Sequence, residues 1–188
     1  KVLDFAFKII VVGDPTVGKT SIVLRFTDKA FRYSYLPTIG VNITEKNIRV
    51  SNTKMKLMLW DLAGQSKYLR IRHQFYLGVD GIVLVYDLTN RATFENIQKW
   101  YDDIKASIPN FEKIQLFLCG NKSDRDTDIQ ISTMQGFALA KKLNINFIEI
   151  SALNNVNINT VFATLAETIY KAKHAKKTEI NPIIISNQ

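Results

Sequence analysis

The sequence predicts an α/β fold of three layers, with a mostly parallel six-stranded sheet, one antiparallel strand and about five helices. Three observations predict it. Gly81 to Tyr86 and Ile114 to Cys119 are continuous apolar runs, the form of strands buried on both faces. Between them apolar residues recur at helical spacing, as a crossover between parallel strands requires. Polar clusters repeatedly follow the strands, and in a parallel sheet those strand ends share one rim, where ligands sit.

Phe7 to Val12 is the first strand, and Lys19 to Thr27 reads as a helix with Ile22, Val23 and Phe26 on one face. A polar connection, Asp28 to Gly40, leads to Val41–Val50, where apolar and polar residues alternate as on a half-exposed edge strand. Ser51-Asn52-Thr53 supplies a hairpin turn into Met55 to Trp60, so these two strands are antiparallel. Phe94, Ile97, Tyr101, Ile104 and Ile108 mark one helix, ended by Pro109. Ser132 to Gln135 reads as a capping box. Asn146 to Ile150 is a last short strand, and Ile158, Val161, Phe162, Leu165 and Ile169 stripe the final helix.

The first polar cluster is Gly13-Asp14-Pro15-Thr16-Val17-Gly18-Lys19-Thr20, between a strand and a helix. That context suits a phosphate-binding loop: backbone N–H groups turn around an anion and the helix N-terminus adds its positive end. Lys19 would reach the β- and γ-phosphates, and the Thr20 hydroxyl would ligate Mg²⁺. Asp61 to Gln65 follows the next strand; Asp61 can hold Mg²⁺, Gly64 can offer its N–H to a terminal phosphate, and Gln65 can orient a water in line with it. Asn121-Lys122-Ser123-Asp124 is either a polar turn or a base-specificity element. A carboxylate there accepts from guanine's ring N–H and amino group, a pair that adenine lacks. Ser151 and Ala152 close the set.

Together the stretches GDPTVGKT, TIGVNI (Thr38 to Ile43), WDLAGQ (Trp60 to Gln65), YDLT (Tyr86 to Thr89), NKSD and ISA (Ile150 to Ala152) resemble a small GTPase of the Ras superfamily, most like the Rab family, over about Phe7 to His174. The resemblance implies the small G protein form of the P-loop NTPase fold, and a GTP/GDP switch that hydrolyses GTP slowly with Mg²⁺ in vesicle trafficking. It implies Gln65, Lys19, Thr38 and Gly64 in catalysis, and Thr20, Thr38 and Asp61 on the metal. Residues 13–21, including Ser21, would bind the nucleotide with Phe31, Tyr35, Thr38, Gly64, Asn121, Lys122, Asp124, Ser151, Ala152 and Leu153. Phe31 would pack on the guanine ring, and the Ala152 N–H would meet the guanine oxygen.

Arg32 to Val41 and Ala63 to Tyr76 are then the two switch segments through which effectors bind, with an exchange factor and a GTPase-activating protein also expected. Ile39, Val41, Trp60, Tyr68 and Tyr76 are the apolar side chains read as effector surface, with ordinary core the alternative for each. The sequence departs from the family at Pro15, where Gly or Ser is usual, and at Leu153, where Lys is common. It departs again at Ser66-Lys67-Tyr68 and at Asn42. Proline removes an N–H from the loop beside Gln65. A hydrolysis-impaired module held in its GTP form is therefore one alternative function, and a phosphate-loop kinase of small molecules is another.

With 188 residues and 46% hydrophobic content the chain suits one compact domain, residues 1–175, followed by a tail, 176–188. Cys119, the single cysteine, reads as a small buried side chain, in keeping with a reducing compartment. No apolar run approaches the ~20 residues that cross a bilayer, and Asp4 interrupts the only stretch placed like a signal core. The expected location is cytoplasmic, peripheral on the cytosolic face of a membrane. The net charge of +8 gathers at Lys171, Lys173, Lys176 and Lys177, which either complement the end of the last helix or touch an anionic membrane weakly. A monomer without a nucleic-acid partner is expected. The chain begins without Met and ends without the prenylated cysteines usual in Rabs, so its native ends are expected to lie elsewhere or the lipid anchor to be missing.

Overall fold

The computed structural model describes residues 5–28, 40–50, 52–64 and 73–175. Its strands are β1 (Phe5–Val12), β2 (Val41–Val50), β3 (Thr53–Leu62), β4 (Gly81–Asp87), β5 (Gln115–Asn121) and β6 (Asn146–Glu149). They form one sheet in the order β2-β3-β1-β4-β5-β6. Every neighbouring pair is parallel except β2 with β3. The α-helices with both ends among the described residues are α1 (Lys19–Phe26), α2 (Arg91–Glu95), α3 (Ile97–Ser107), α4 (Thr133–Leu143) and α5 (Ile158–Ala175). The predicted fold class is the one observed.

The continuous apolar runs have a direct cause. Alternate residues of a strand face opposite sides of the sheet, and both sides here are covered. Ile9 and Val11 of β1 and Val83 and Val85 of β4 join one core with α1 and α5, where Phe26 stacks on Phe162 with ring centroids 4.2 Å apart. Ile10, Val12, Ile82, Leu84 and Tyr86 join the other, under Ile97, Trp100 and Ile104 of α3 and Ala140 and Leu143 of α4. The predicted stripe of the last helix, Ile158 to Ile169, is buried throughout.

The single helix expected over Phe94 to Ile108 is two, parted at Asn96, which serves as the end of α2 and the cap of α3. Asn90 caps α2 by accepting from the Ala92 N–H at 3.1 Å. The Asn96 side chain is drawn across to Asp14, a tertiary bond that helical periodicity does not announce. The Ser132 capping box forms as predicted: Gln135 N donates to Ser132 Oγ at 3.3 Å and Ser132 N to Gln135 Oε1 at 2.9 Å.

Tyr76 departs from its expected place on an exposed surface. It is 2% exposed, packs in the α3-side core and donates to Asp103 Oδ2 at 3.4 Å. Trp60 lies between the two readings: half-buried, with the Lys8 ammonium 3.9 Å from its ring centroid and Phe75 beside it at 5.9 Å. Desolvation lowers the Lys8 pKa, and Asp80 opposes that shift. Ile39 and Tyr68 lie outside the described residues, as does the tail, 176–188. No helix among the described residues is long and apolar enough to cross a membrane.

Candidate functional site

The carboxyl ends of β1, β3, β5 and β6 deliver four loops to one cavity of about 560 Å³. Pro15, Thr16, Gly18, Lys19, Thr20 and Ser21 line it from the first loop, and Ala63 and Gly64 from the second. Asn121, Lys122, Asp124 and Arg125 come from the third, and Ala152 and Leu153 from the fourth. Loops far apart in sequence meet because parallel strands point their carboxyl ends the same way.

Gly18 caps α1 in the left-handed region, with φ at 99° and no side-chain cap, so no side chain covers the helix N-terminus, the end of a helix that favours anions. A Cβ there would also meet Asn121 Nδ2 at 2.3 Å. Lys19 is 6% exposed, and its Nζ donates to the carbonyls of Gly13 at 2.9 Å and Asp14 at 2.7 Å. Val17 is fully buried and its carbonyl accepts from Asn121 Nδ2 at 2.8 Å. Thr16 holds φ at 66°, a left-handed conformation that a β-branched residue rarely adopts.

Behind the loop, Thr20 Oγ1 donates to Asp61 Oδ2 at 2.5 Å, joining the residues predicted to share a metal. A hydroxyl beside a carboxylate is a hard oxygen pair, the kind Mg²⁺ takes while keeping water and phosphate oxygens for its other positions. Among the described residues no group of three or more His, Cys, Asp or Glu gathers as a metal site.

At the far end, Ser151 is fully buried and its Oγ donates to Asp124 Oδ1 at 2.5 Å, fixing the carboxylate predicted to read guanine. Asn121 works as a brace. Its Nδ2 holds Val17 and its Oδ1 accepts from the Ala152 N–H at 3.1 Å, so the N–H expected to face a guanine oxygen is turned to Asn121 in this structure. Lys122 Nζ is paired with Asp87 at 2.5 Å, which also takes the Thr89 N–H and hydroxyl.

Sequence reading missed several residues here. Arg25, in the last turn of α1, donates from Nε to Ala152 O at 2.9 Å and from Nη2 to Leu153 O at 2.8 Å, clasping the last loop. Asp14, predicted to face the nucleotide, directs its carboxylate to α3, taking Asn96 Nδ2 and Trp100 Nε1, each at 2.8 Å. Neither contact has a local signature, because the partners in each lie far apart along the chain. Phe31, Tyr35, Thr38 and Gln65 lie outside the described residues.

A mostly parallel sheet whose first strand runs into a glycine loop at a helix N-terminus, and whose later strand ends close the same cavity, has the form of a P-loop protein. A sequence model of the Ras family matches residues 8–171, and the chain belongs to that family. Among its relatives are Ras-related protein Rab-8A of Gallus gallus, 42% identical over 100% of this chain and 89% of the relative. Ras-related protein SEC4 of Saccharomyces cerevisiae is 41% identical over 94% of this chain and 81% of its own length. Human Ras-related protein Rab-15 is 39% identical over 95% and 83%. The chain is a Rab-like small GTPase, and the reading as a small-molecule kinase falls away.

Proposed function

We propose that the cavity holds GTP or GDP with the phosphates at Gly13 to Ser21 and the base between Asp124 and Leu153, and that the nucleotide sets a switch for membrane trafficking. Residues 1–175 act as the G domain. The observation that carries this reading is the convergence of the anion loop, Thr20 with Asp61, and Asp124 with Ser151 on one cavity. Thr20, Asp61 and Thr38 would hold Mg²⁺, which neutralises phosphate charge when bound. Lys19 offers its ammonium to the phosphates, Gly64 its N–H to the terminal one, and Gln65 orients the attacking water.

Effectors bind through Arg32 to Val41 and Ala63 to Tyr76. Support comes from Ile43, 52% exposed and opposite Trp60 in the β2–β3 register, with the Phe75 ring 5.9 Å from that of the tryptophan. These are apolar groups on the rim of both segments, and Tyr76 does not join them. A GTPase-activating partner would add positive charge to the transition state, and an exchange factor would release GDP. Membrane contact through the basic tail region is weak. Lys173 is paired with Asp80 at 2.5 Å and Lys171 with Glu167 at 2.7 Å, so part of their charge is already met within the protein.

Single-turnover hydrolysis of GTP with Mg²⁺, beside Gln65→Leu, tests the catalytic assignment. A slow rate that falls further in the variant is expected. Equal rates would sink the role given to Gln65 and favour a module held in its GTP form beside Pro15.

A further inference from the structure

Asp14 places a negative charge on the loop that must receive an anion. Its backbone carbonyl lies 2.7 Å from Lys19 Nζ, so the residue stands next to the ammonium that the phosphates need. Its carboxylate is a rival for that ammonium unless something holds it elsewhere. Both oxygens are held: Oδ1 accepts from Trp100 Nε1 and Oδ2 from Asn96 Nδ2, each at 2.8 Å. Trp100 is 6% exposed and packed in the α3-side core, so its N–H is aimed by the fold. Asn96 stands at the joint of α2 and α3, where the chain breaks its helix and turns the amide to the loop. Among the described residues that wall the cavity, Asp14 is not one, although Pro15 and Thr16 beside it are.

The geometry points to Asn96 and Trp100 as positioning residues that keep the Asp14 carboxylate turned from the phosphates, so that Lys19 meets the nucleotide without a competing anion. This rests on the cavity holding a guanine nucleotide. Two neutral donors suit this role, because they satisfy a carboxylate that is leaving water without importing a second positive charge to the site. The same bonds tie the loop to α3, and a mere tether predicts a different result when the charge is removed.

The experiment is dissociation of a fluorescent GDP from the full chain in Mg²⁺, first for the unaltered protein, whose failure to bind would overturn the nucleotide reading itself. Trp100→Phe keeps an aromatic ring in the core and loses the donor, and should speed dissociation about tenfold, the scale of one lost charge-assisted hydrogen bond. Adding Asp14→Ala to Trp100→Phe should slow it again, to within about threefold of the unaltered chain. Dissociation from the double variant as fast as from Trp100→Phe would mean that the bonds only tether the loop, and would overturn the proposal. So would a Trp100→Phe protein that releases GDP at the unaltered rate. If melting shows that Trp100→Phe does not fold, Asn96→Leu with and without Asp14→Ala asks the same question from the less buried donor.

Discussion

Gly64 and Pro15 meet backbone to backbone: a Cβ built on Gly64 would lie 2.5 Å from the Pro15 nitrogen, and as close to the Gly13 oxygen and the Asp14 carbonyl carbon. Real Cβ atoms do not come so near, and these neighbours are backbone atoms that cannot yield as a flexible side chain would. The second loop therefore rests on the first only because residue 64 is glycine. Pro15 fits the contact well, since its nitrogen carries no hydrogen to be stranded beneath Gly64.

Gly64→Ala should force the two loops apart. The hydrolysis rate is expected to fall about a hundredfold, the scale of one lost donor to a developing charge. Single-turnover kinetics checks it, and an unaltered rate would show that the Gly64 N–H takes no part.

Arg25 clasps the carbonyls of Ala152 and Leu153 and so ties α1 to the last loop. Arg25→Leu keeps bulk and loses both bonds. GDP should leave about tenfold faster, with little change in the rate of hydrolysis once GTP is bound. Stopped-flow release of a fluorescent GDP measures the first and single turnover the second. A slower hydrolysis with unchanged release would reverse the assignment.

Thr16 carries a left-handed φ of 66° beside Pro15, on an exposed part of the loop. Glycine adopts that conformation without strain but loses more freedom on folding. The strain term is the larger for a β-branched side chain, so Thr16→Gly should raise stability by about 1 kcal/mol. Urea unfolding decides it, and a lower midpoint would mean that the hydroxyl is held by something that outweighs the strain.

Cys119 is fully buried in β5, and burial pushes its thiol well above the usual value. Above about pH 8.5 the unfolded thiol ionises while the folded one stays protonated. The unfolded state then binds fewer protons, so its share of the stability falls as pH rises, by up to about 1.4 kcal/mol per unit. Urea midpoints from pH 8 to 10, compared with Cys119→Ala, should show a slope that the variant lacks. A disulfide reagent should likewise leave the folded thiol untouched, and fast labelling of the native protein would refute the burial.

The glycine loop between strand and helix, the strand pattern and the polar ends of the strands were legible in the sequence because each is a local rule. Glycine spacing, alternation and unbroken apolar runs depend on residues a few positions apart, and so Lys19, Thr20, Asp61 and Asp124 could be named before any fold was known. What those residues face is a different matter. The Asp14 carboxylate belongs to a loop whose motif concerns its backbone, and only the crossing of α3 over that loop decides that it turns to Asn96 and Trp100. No local pattern marks Arg25, which finds its partner only because the fold brings the Ala152 carbonyl within 2.9 Å of its Nε. Tyr76 resembled an exposed switch residue in a polar stretch, yet its ring completes the core beneath α3. Side-chain direction across such distances follows from which elements pack together, and periodicity along the chain carries no record of that.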